Sequence, residues 1–239
     1  MTPRKSTLLI IPALNEEMSI GPVILGVKQH FDCDILVIDG YSRDRTVEVA
    51  RENGAMVVQL SKSLGIAGAI ELGILYASRE GYEYLARIDA DGQHRPEDLN
   101  RLLAVIKEDK ADFVIGSRFL GDSEYKPNLL RHSSIGVISL LLRLLYRVKI
   151  TDCTSGCQLY NRQVIEFFAK DVSFEYSEVR AIWMAHKATF RVREEFINMA
   201  PRSAGVSSFS PMIAWLYMFK NIADLLLSIP VPMRRYGKQ

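Results

Sequence analysis

Two carboxylates and a carboxamide occupy alternate positions in the stretch Arg87-Ile88-Asp89-Ala90-Asp91-Gly92-Gln93-His94, directly after a short apolar run. Oxygen ligands of this kind suit Mg²⁺ or Mn²⁺, and protein-bound Mg²⁺ commonly also holds phosphate. A strand that ends at Ile88 would place Asp89, Asp91 and Gln93 at its carboxyl end, where open α/β sheets bind ligands. The motif therefore predicts a metal site that holds a diphosphate. A solvated acidic turn is the competing interpretation, because Asp and Gly are common turn residues.

The composition favours a globular protein and disfavours several functional classes. The chain has 239 residues, of which 48% are hydrophobic, and its 30 basic and 28 acidic residues give a net charge of +2. This length allows one large domain or two small ones with a full core. The near balance of charge argues against a protein that coats nucleic acid. No Gly-rich dinucleotide motif and no P-loop lysine motif is present, which disfavours dinucleotide cofactors and P-loop ATPase chemistry.

The cysteines and the apolar runs indicate a reducing compartment. Cys33, Cys153 and Cys157 are too few and too irregular for a disulfide scaffold or a zinc site, so we expect buried free thiols. We expect neither a secretory leader nor a spanning helix, because the chain starts with a polar stretch and has no apolar run of about 18 residues.

The first half of the chain alternates segments typical of strands and of helices. The expected strands are 7–11, 34–38, 55–60, 84–88 and 112–115, and the expected helices are 16–31, 42–54, 66–79 and 96–109, with Ser42 as a helix cap. This order predicts an α/β fold with a mainly parallel sheet and helices on both faces. The second half is less regular and carries polar loops at 121–128, 151–156 and 200–208.

Polar residues follow the carboxyl ends of four expected strands, which predicts that they converge on one ligand site. These residues are Asn15-Glu16, Asp39, Asp89 with Asp91, and Ser117-Arg118. We expect one domain over 1–208, followed by a C-terminal amphipathic segment over 209–239.

Two apolar segments predict contact with a membrane surface. One is 135–146, flanked by basic residues, and the other begins near residue 212. In the second segment apolar residues recur at helical spacing, namely Trp215, Leu216, Phe219, Ile222, Ala223 and Leu226. A broad apolar face with basic flanks is typical of a helix that lies in a bilayer interface. Alternatively, these two segments pack on the domain or against a second copy of the chain, so an oligomer is also possible.

Seven motifs in this order and spacing carry a family resemblance over residues 7–209. They are Ile11-Pro12-Ala13-Leu14-Asn15-Glu16; Asp39-Gly40-Tyr41-Ser42-Arg43-Asp44-Arg45-Thr46; Gly65 with Ala69 and Gly73; Asp89-Ala90-Asp91-Gly92-Gln93-His94; Gly116-Ser117-Arg118; Asp152 with Ser155-Gly156; and Arg202-Ser203-Ala204-Gly205-Val206-Ser207-Ser208. The chain resembles the family 2 glycosyltransferases with the GT-A (Rossmann-like) fold. Within that family it is similar to the dolichol-phosphate and polyprenyl-phosphate mannose synthases and their glucosyl relatives.

The resemblance implies a metal-dependent, inverting enzyme that moves mannose or glucose from a GDP- or UDP-hexose to a polyprenyl (dolichyl) phosphate. The residues implied for the base and ribose are Pro12, Leu14, Asn15, Glu16 and Asp39. Asp89, Ala90 and Asp91 would hold the ribose and the Mg²⁺ or Mn²⁺, with Gln93 completing the metal site. The implied catalytic residues are Asp91, Arg202 at the donor diphosphate, Arg118 and Arg131 at the acceptor phosphate, and Asp152. Gly40 departs from the pattern, since many relatives carry a second carboxylate there.

The acceptor decides which chemistry the residues must supply. A lipid phosphate is already an anion, so it needs orientation rather than a base. Guanidinium groups are suited to orienting a phosphate. A glycan hydroxyl would need a carboxylate base, with Asp152 or Glu178 as candidates. For Asp152 a turn or capping carboxylate stays open as the alternative, and we interpret Glu178 as a solvated helix residue. A non-catalytic nucleotide-binding module is a third possibility. For the lipid-phosphate reaction we expect a peripheral location on the cytoplasmic face of the membrane.

Overall fold

A computed structural model describes residues 5–122, 129–170, 176–200, 219–223 and 225–226. Its strands are β1 (Thr7–Ala13), β2 (Asp34–Asp39), β3 (Met56–Gln59), β4 (Tyr84–Arg87), β5 (Phe113–Ser117), β6 (Gln158–Asn161) and β7 (Val192–Phe196). Its helices are α1 (Ile20–His30), α2 (Thr46–Glu52), α3 (Gly65–Glu80), α4 (Asp98–Lys107), α5 (Leu129–Tyr146), α6 (Arg162–Lys170) and α7 (Glu178–Lys187).

The strands form one mixed, mainly parallel sheet in the order β3-β2-β1-β4-β6-β5-β7. β1 runs parallel to β2 and β4, β2 to β3, and β5 to β7. β6 is the exception, because it is antiparallel to both β4 and β5. The mainly parallel sheet is as predicted. The insertion of β6 between β4 and β5 was not predicted.

Alternation along β1 divides the core into two layers. Leu8 and Ile10 face a layer that also contains residues of α3, α5, α6 and α7. Leu9 and Ile11 face the other layer, with residues of α1, α2 and α4. All four β1 side chains are fully buried, as expected for a parallel strand covered on both sides. The prediction of helices on both faces is confirmed.

Gly73 lets α3 approach the sheet closely. A Cβ at this position would come within 2.7 Å of Ile10 Cδ1 and 3.0 Å of Ile38 Cδ1. Such contacts are much shorter than the packing distance between carbon atoms, so only a residue without a side chain fits. The glycine therefore sets the distance between α3 and the strands that precede the polar edge.

The three cysteines are buried free thiols, as predicted. Burial raises the pKa of Cys33 and of Cys153 to about 12. Both thiols are therefore protonated at neutral pH and unreactive.

Within the part of the chain that the structure describes, no helix is both long enough and apolar enough to cross a bilayer.

Candidate active site

The carboxyl ends of β1, β2, β4 and β5 lie at one edge of the sheet, because these strands share one direction. The polar residues singled out from the sequence follow these four strands. Asn15 and Glu16 follow β1, Asp39 ends β2, Asp89 and Asp91 follow β4, and Arg118 follows β5. Side chains from separate parts of the sequence are thereby gathered along this edge.

The loops after β1 and β2 are joined by hydrogen bonds. The backbone N–H of Asn15 donates to Ser42 Oγ at 2.8 Å, and the N–H of Arg43 donates to Asn15 Oδ1 at 2.9 Å. The N–H of Glu16 donates to Thr46 Oγ1 at 2.7 Å. Asn15 has a positive φ of 56°, which Asn tolerates better than most residues. The prediction of Ser42 as a helix cap was wrong, because its hydroxyl binds the β1 loop and α2 begins at Thr46.

Asp39 presents a carboxylate oxygen that lacks a donor. Its Oδ2 accepts from the backbone N–H groups of Tyr41 at 3.2 Å and Ser42 at 3.1 Å. Its Oδ1 is buried and has no hydrogen-bond partner among the described residues. Beside it, Leu14 and Tyr41 are exposed apolar side chains, whereas Pro12 is buried. A buried acceptor next to exposed apolar groups suits a flat heterocycle that carries N–H donors.

Three neighbours lie close to the Asp89 carboxylate. Gly156 leaves room for the carboxylate, since a Cβ there would come within 2.5 Å of Asp89 Oδ2. His94 Nε2 lies 3.4 Å from Oδ2, and Arg87 Nη2 lies 3.5 Å from Oδ1. Burial would raise the pKa of Asp89, but the hydrogen bond from His94 and the charge of Arg87 outweigh it and hold the pKa well below its usual range. The carboxylate is therefore ionised at neutral pH.

The second carboxylate of the motif, Asp91, is buried, and its Oδ1 accepts from the backbone N–H of Gln93 at 3.1 Å. Gln93 is bonded to the chain after β7. The side-chain Nε2 of Gln93 donates to the Ala200 carbonyl at 3.1 Å, and the backbone carbonyl of Gln93 accepts from the Ala200 N–H at 2.8 Å. Ala90, between the two aspartates, is buried in the core. Arg202 falls outside the described residues.

These residues fit a Mg²⁺ or Mn²⁺ ion that also has ligands from outside the protein. Asp89 Oδ1 is buried without a hydrogen-bond donor in the described part of the chain, so it can take a cation. Across the described ranges, no group of three His, Cys, Asp or Glu side chains could by itself enclose a metal. One or two carboxylates completed by phosphate oxygens and water is the usual arrangement for Mg²⁺.

Arg118 and Asp152 form a buried bidentate pair. Arg118 Nε donates to Asp152 Oδ2 at 2.6 Å, and Nη2 donates to Oδ1 at 2.5 Å. The backbone N–H of Arg118 adds a bond of 3.0 Å to Oδ2. Asp152 therefore has both carboxylate oxygens engaged. Arg131 lies in α5, and its side chain is outside the described part.

Glu194 on β7 holds the turn that carries Asp152, a role that the sequence did not reveal. Its carboxylate accepts from the backbone N–H groups of Thr151 at 2.8 Å and Asp152 at 2.7 Å. Burial raises the pKa of Glu194 despite these bonds. The same turn continues to Gly156, so it contacts both Arg118 and Asp89.

Glu178 is not the solvated residue that we expected. It opens α7, and its Oε1 lies 2.9 Å from Nη1 of Arg87, whose side chain is 1% exposed. Burial would lower the pKa of Arg87, but Glu178 and Asp89 together raise it above its ordinary value. The sequence offered one sign of this Arg87–Glu178 pair, namely a basic residue in an apolar strand two positions before Asp89.

An apolar surface lies on α5 and on the helical residues near the C-terminus. On α5, Ile135, Ile138 and Leu142 are buried, whereas Val137, Leu140 and Leu144 are exposed. In the C-terminal part, Tyr146 Oη donates to the Leu225 carbonyl at 2.6 Å, and Ser177 Oγ donates to Asn221 at 3.0 Å. The exposed apolar residues there are Phe219, Ala223 and Leu226, beside exposed Lys220. Most of segment 209–239, including Trp215 and Leu216, lies outside the described residues.

Comparisons with known proteins agree on one family. The sequence profile described as "Glycosyl transferase family 2" matches residues 8–168. The polyprenol monophosphomannose synthase of Mycolicibacterium smegmatis is 32% identical over 231 residues, covering 91% of this chain and 86% of the relative. The undecaprenyl-phosphate mannosyltransferase of Micrococcus luteus is 32% identical over 214 residues, covering 85% of this chain and 87% of the relative.

A solved structure shows the same fold. It is glucosyl-3-phosphoglycerate synthase from Mycobacterium tuberculosis, in complex with Mn²⁺, UDP and phosphoglyceric acid. The TM-score is 0.70 at 17% identity, covering 95% of this chain and 79% of that one. The predicted GT-A architecture is thus confirmed.

Proposed function

This chain is a glycosyltransferase of family 2, and we propose that it transfers a hexose, mannose or glucose, from a nucleotide sugar to a polyprenyl phosphate. The names of its relatives support a lipid-phosphate acceptor. The observation that carries the proposal is the carboxylate of Asp89, which is ionised, held against Gly156, and open at a buried oxygen on the carboxyl edge of the sheet.

The donor nucleotide would bind over the joined loops after β1 and β2. Asp39 Oδ1 would accept a base N–H, since it has no donor among the described residues. Leu14 and Tyr41 would cover the base with apolar surface, and Asn15 and Glu16 would fix the loops around the ribose. A UDP-hexose and a GDP-hexose both present N–H donors to such an oxygen.

Asp89 and Asp91 would hold the ribose and a Mg²⁺ or Mn²⁺ ion, with Gln93 beside them. When bound, such an ion supplies positive charge to the diphosphate that leaves the sugar. Asp89 stays ionised, so it offers this site a full negative charge. Arg202 would hydrogen-bond the diphosphate and stabilise the charge that builds on it in the transition state.

The acceptor phosphate would be held by arginines and would attack the anomeric carbon from the face opposite the diphosphate, with inversion. Arg118 and Arg131 are the groups proposed to hold it, because a guanidinium matches phosphate geometry. The acceptor is already an anion, so orientation and closeness replace a base. Asp152, whose two oxygens both bond Arg118, would orient this guanidinium toward the phosphate rather than act as the base that a glycan hydroxyl needs.

We further propose that the enzyme acts while lying on the cytoplasmic face of a membrane. The exposed apolar residues of α5 and of the C-terminal helical part would enter the interface, namely Val137, Leu140, Leu144, Phe219 and Leu226. Exposed Arg143, Arg147 and Lys149 follow the apolar part of α5 and would pair with anionic lipid. A polyprenyl phosphate buried in the same bilayer would then present its phosphate to the sheet edge.

A transfer assay tests the proposal. The purified chain is incubated with GDP-mannose, GDP-glucose, UDP-mannose or UDP-glucose, with Mg²⁺, Mn²⁺ or EDTA, and with polyprenyl phosphate, a glycan acceptor or neither. We expect a lipid-extractable sugar phosphate only when metal and polyprenyl phosphate are both present, with an anomeric configuration opposite to that of the donor. Transfer to the glycan alone would refute the lipid acceptor, and nucleotide binding without any transfer would refute an active enzyme.

A further inference from the structure

Arg87 is a buried cation between two carboxylates. Its side chain is 1% exposed, and it projects from β4 two residues before Asp89. The distance from Nη1 to Glu178 Oε1 is 2.9 Å, whereas the distance from Nη2 to Asp89 Oδ1 is 3.5 Å. The guanidinium is thus in contact with Glu178 and half an ångström or more farther from Asp89.

The surroundings offer Arg87 little else to pair with. Its Nε has no hydrogen-bond partner among the described residues, and Nη1 meets Glu178 as an ion pair without an aligned hydrogen bond. Tyr160 and Tyr176 lie close by as neutral groups; the Tyr176 hydroxyl is in hydrogen-bonding contact with Arg87, and both hydroxyls bond Gln158. A buried guanidinium needs a negative partner, so its charge must be balanced by Glu178, by Asp89, or by both.

We propose that Glu178 is a positioning residue that balances the charge of Arg87 and so keeps Asp89 available to the divalent cation. This inference rests on the proposed function, because it takes Asp89 as a metal ligand. Without Glu178, Arg87 would close the 3.5 Å gap to Asp89 Oδ1 and occupy the oxygen that the metal needs. The extra uncompensated positive charge would also repel the cation.

Glu178→Gln tests this directly, since it keeps the size of the side chain and removes its charge. The readout is Mn²⁺ affinity, measured from the free-Mn²⁺ electron paramagnetic resonance signal at a fixed concentration of UDP or GDP. We expect Mn²⁺ binding to weaken about 10- to 100-fold, the range typical for loss of a residue that supports a metal ligand. UDP or GDP affinity in EDTA should be unchanged, which separates this effect from general damage to the site.

The double variant Arg87→Met with Glu178→Gln gives the decisive comparison. It removes the competing cation together with its partner, so Mn²⁺ affinity should return to within about threefold of the wild-type value. If the pair served only to support the fold, the double variant would bind Mn²⁺ no better than E178Q. Should E178Q fail to fold, the double variant alone carries the test, because it removes both charges of the pair and its Mn²⁺ affinity should stay within about threefold of the wild-type value.

A matched control is Glu166→Gln on α6, which removes a half-exposed carboxylate paired with Arg162 at 2.7 Å. Its Mn²⁺ affinity should equal that of the wild type. Equal Mn²⁺ affinity in E178Q and wild type, or loss of Mn²⁺ binding in the double variant, would overturn the role of Glu178 while leaving the transferase proposal intact. A wild-type protein that binds no Mn²⁺ with either nucleotide would overturn both.

Discussion

Gly156 lies directly against the carboxylate of Asp89. A Cβ built on Gly156 would come within 2.5 Å of Oδ2, 2.7 Å of Oδ1 and 2.8 Å of Cγ. Asp89 has a short side chain, and His94 Nε2 lies 3.4 Å from its Oδ2. The turn after α5 therefore fixes the orientation of a carboxylate just after β4, although the two are far apart in the sequence.

Gly156→Ala should impair metal binding with little effect on folding. The added methyl group must push the Asp89 carboxylate aside, and we expect metal affinity and kcat to fall about 10- to 100-fold. Titration of activity with Mn²⁺ measures both quantities. Gly136→Ala on α5 is the control, because a Cβ there meets nothing within 4 Å. A normal metal requirement in G156A would contradict the role assigned to this contact.

Arg118→Lys should separate binding of the acceptor from binding of the donor. Lysine keeps the positive charge, but it can form neither the two parallel bonds that Arg118 makes to Asp152 nor a two-pronged contact to the acceptor phosphate. Loss of one charge-assisted hydrogen bond is worth about 1.5–3 kcal/mol, so the KM for polyprenyl phosphate should rise roughly 10- to 100-fold. Initial rates at varied acceptor and varied donor measure this. A change confined to the KM for the nucleotide sugar would contradict placement at the acceptor.

The first half of the fold was predictable because its strands and helices alternate locally. Thr7–Ala13, Asp34–Asp39 and their neighbours are apolar runs followed by helical patterns, and this order alone implies a parallel sheet. The second half lacks such a signal. β6 has only four residues, too few for a period to show, and its place between β4 and β5 does not follow the sequence order. β7 is a charged strand at the edge of the sheet, so it carries no apolar pattern.

The placement of the candidate-site residues at the carboxyl edge of the sheet was predictable, but their pairings were not. Asp89 and Asp91 were located because carboxylates follow a strand at the edge where ligands bind. The partners of these residues come from distant segments, as with Gly156 and Glu178, and nothing in their own surroundings marks them. Asp152 was named as a possible base, yet only the structure places Arg118 on both of its oxygens.

Asp112 should make the stability depend on pH at the acidic end. Burial would raise its pKa, but bonds from Arg191 and Asn161 outweigh this and hold the pKa below its ordinary value. A carboxylate with a depressed pKa stabilises the fold above its unfolded value of about 4, and this contribution is lost as pH falls through the folded pKa.

Asp112→Asn should therefore lower the free energy of unfolding at pH 7 by about 2–3 kcal/mol, as for loss of charge-assisted hydrogen bonds. Urea denaturation of both proteins between pH 2 and pH 7 measures the difference, which should shrink below about pH 4. A difference that stays constant across this range would show that the charge of Asp112 is not responsible.

Leu140 and Leu144 should contribute to binding a lipid surface. They are 54% and 68% exposed, and they lie one turn apart on the face of α5 that points away from the core. If each leucine is partly withdrawn from water on binding, Leu140→Gln with Leu144→Gln should weaken vesicle binding by about 2 kcal/mol, or roughly 30-fold. Co-sedimentation with vesicles that contain anionic lipid measures this.

Leu25→Gln is the control, since Leu25 is 56% exposed on α1, which packs on the opposite face of the sheet. Equal losses in both variants would mean that exposed apolar area in general, rather than the α5 face, determines binding.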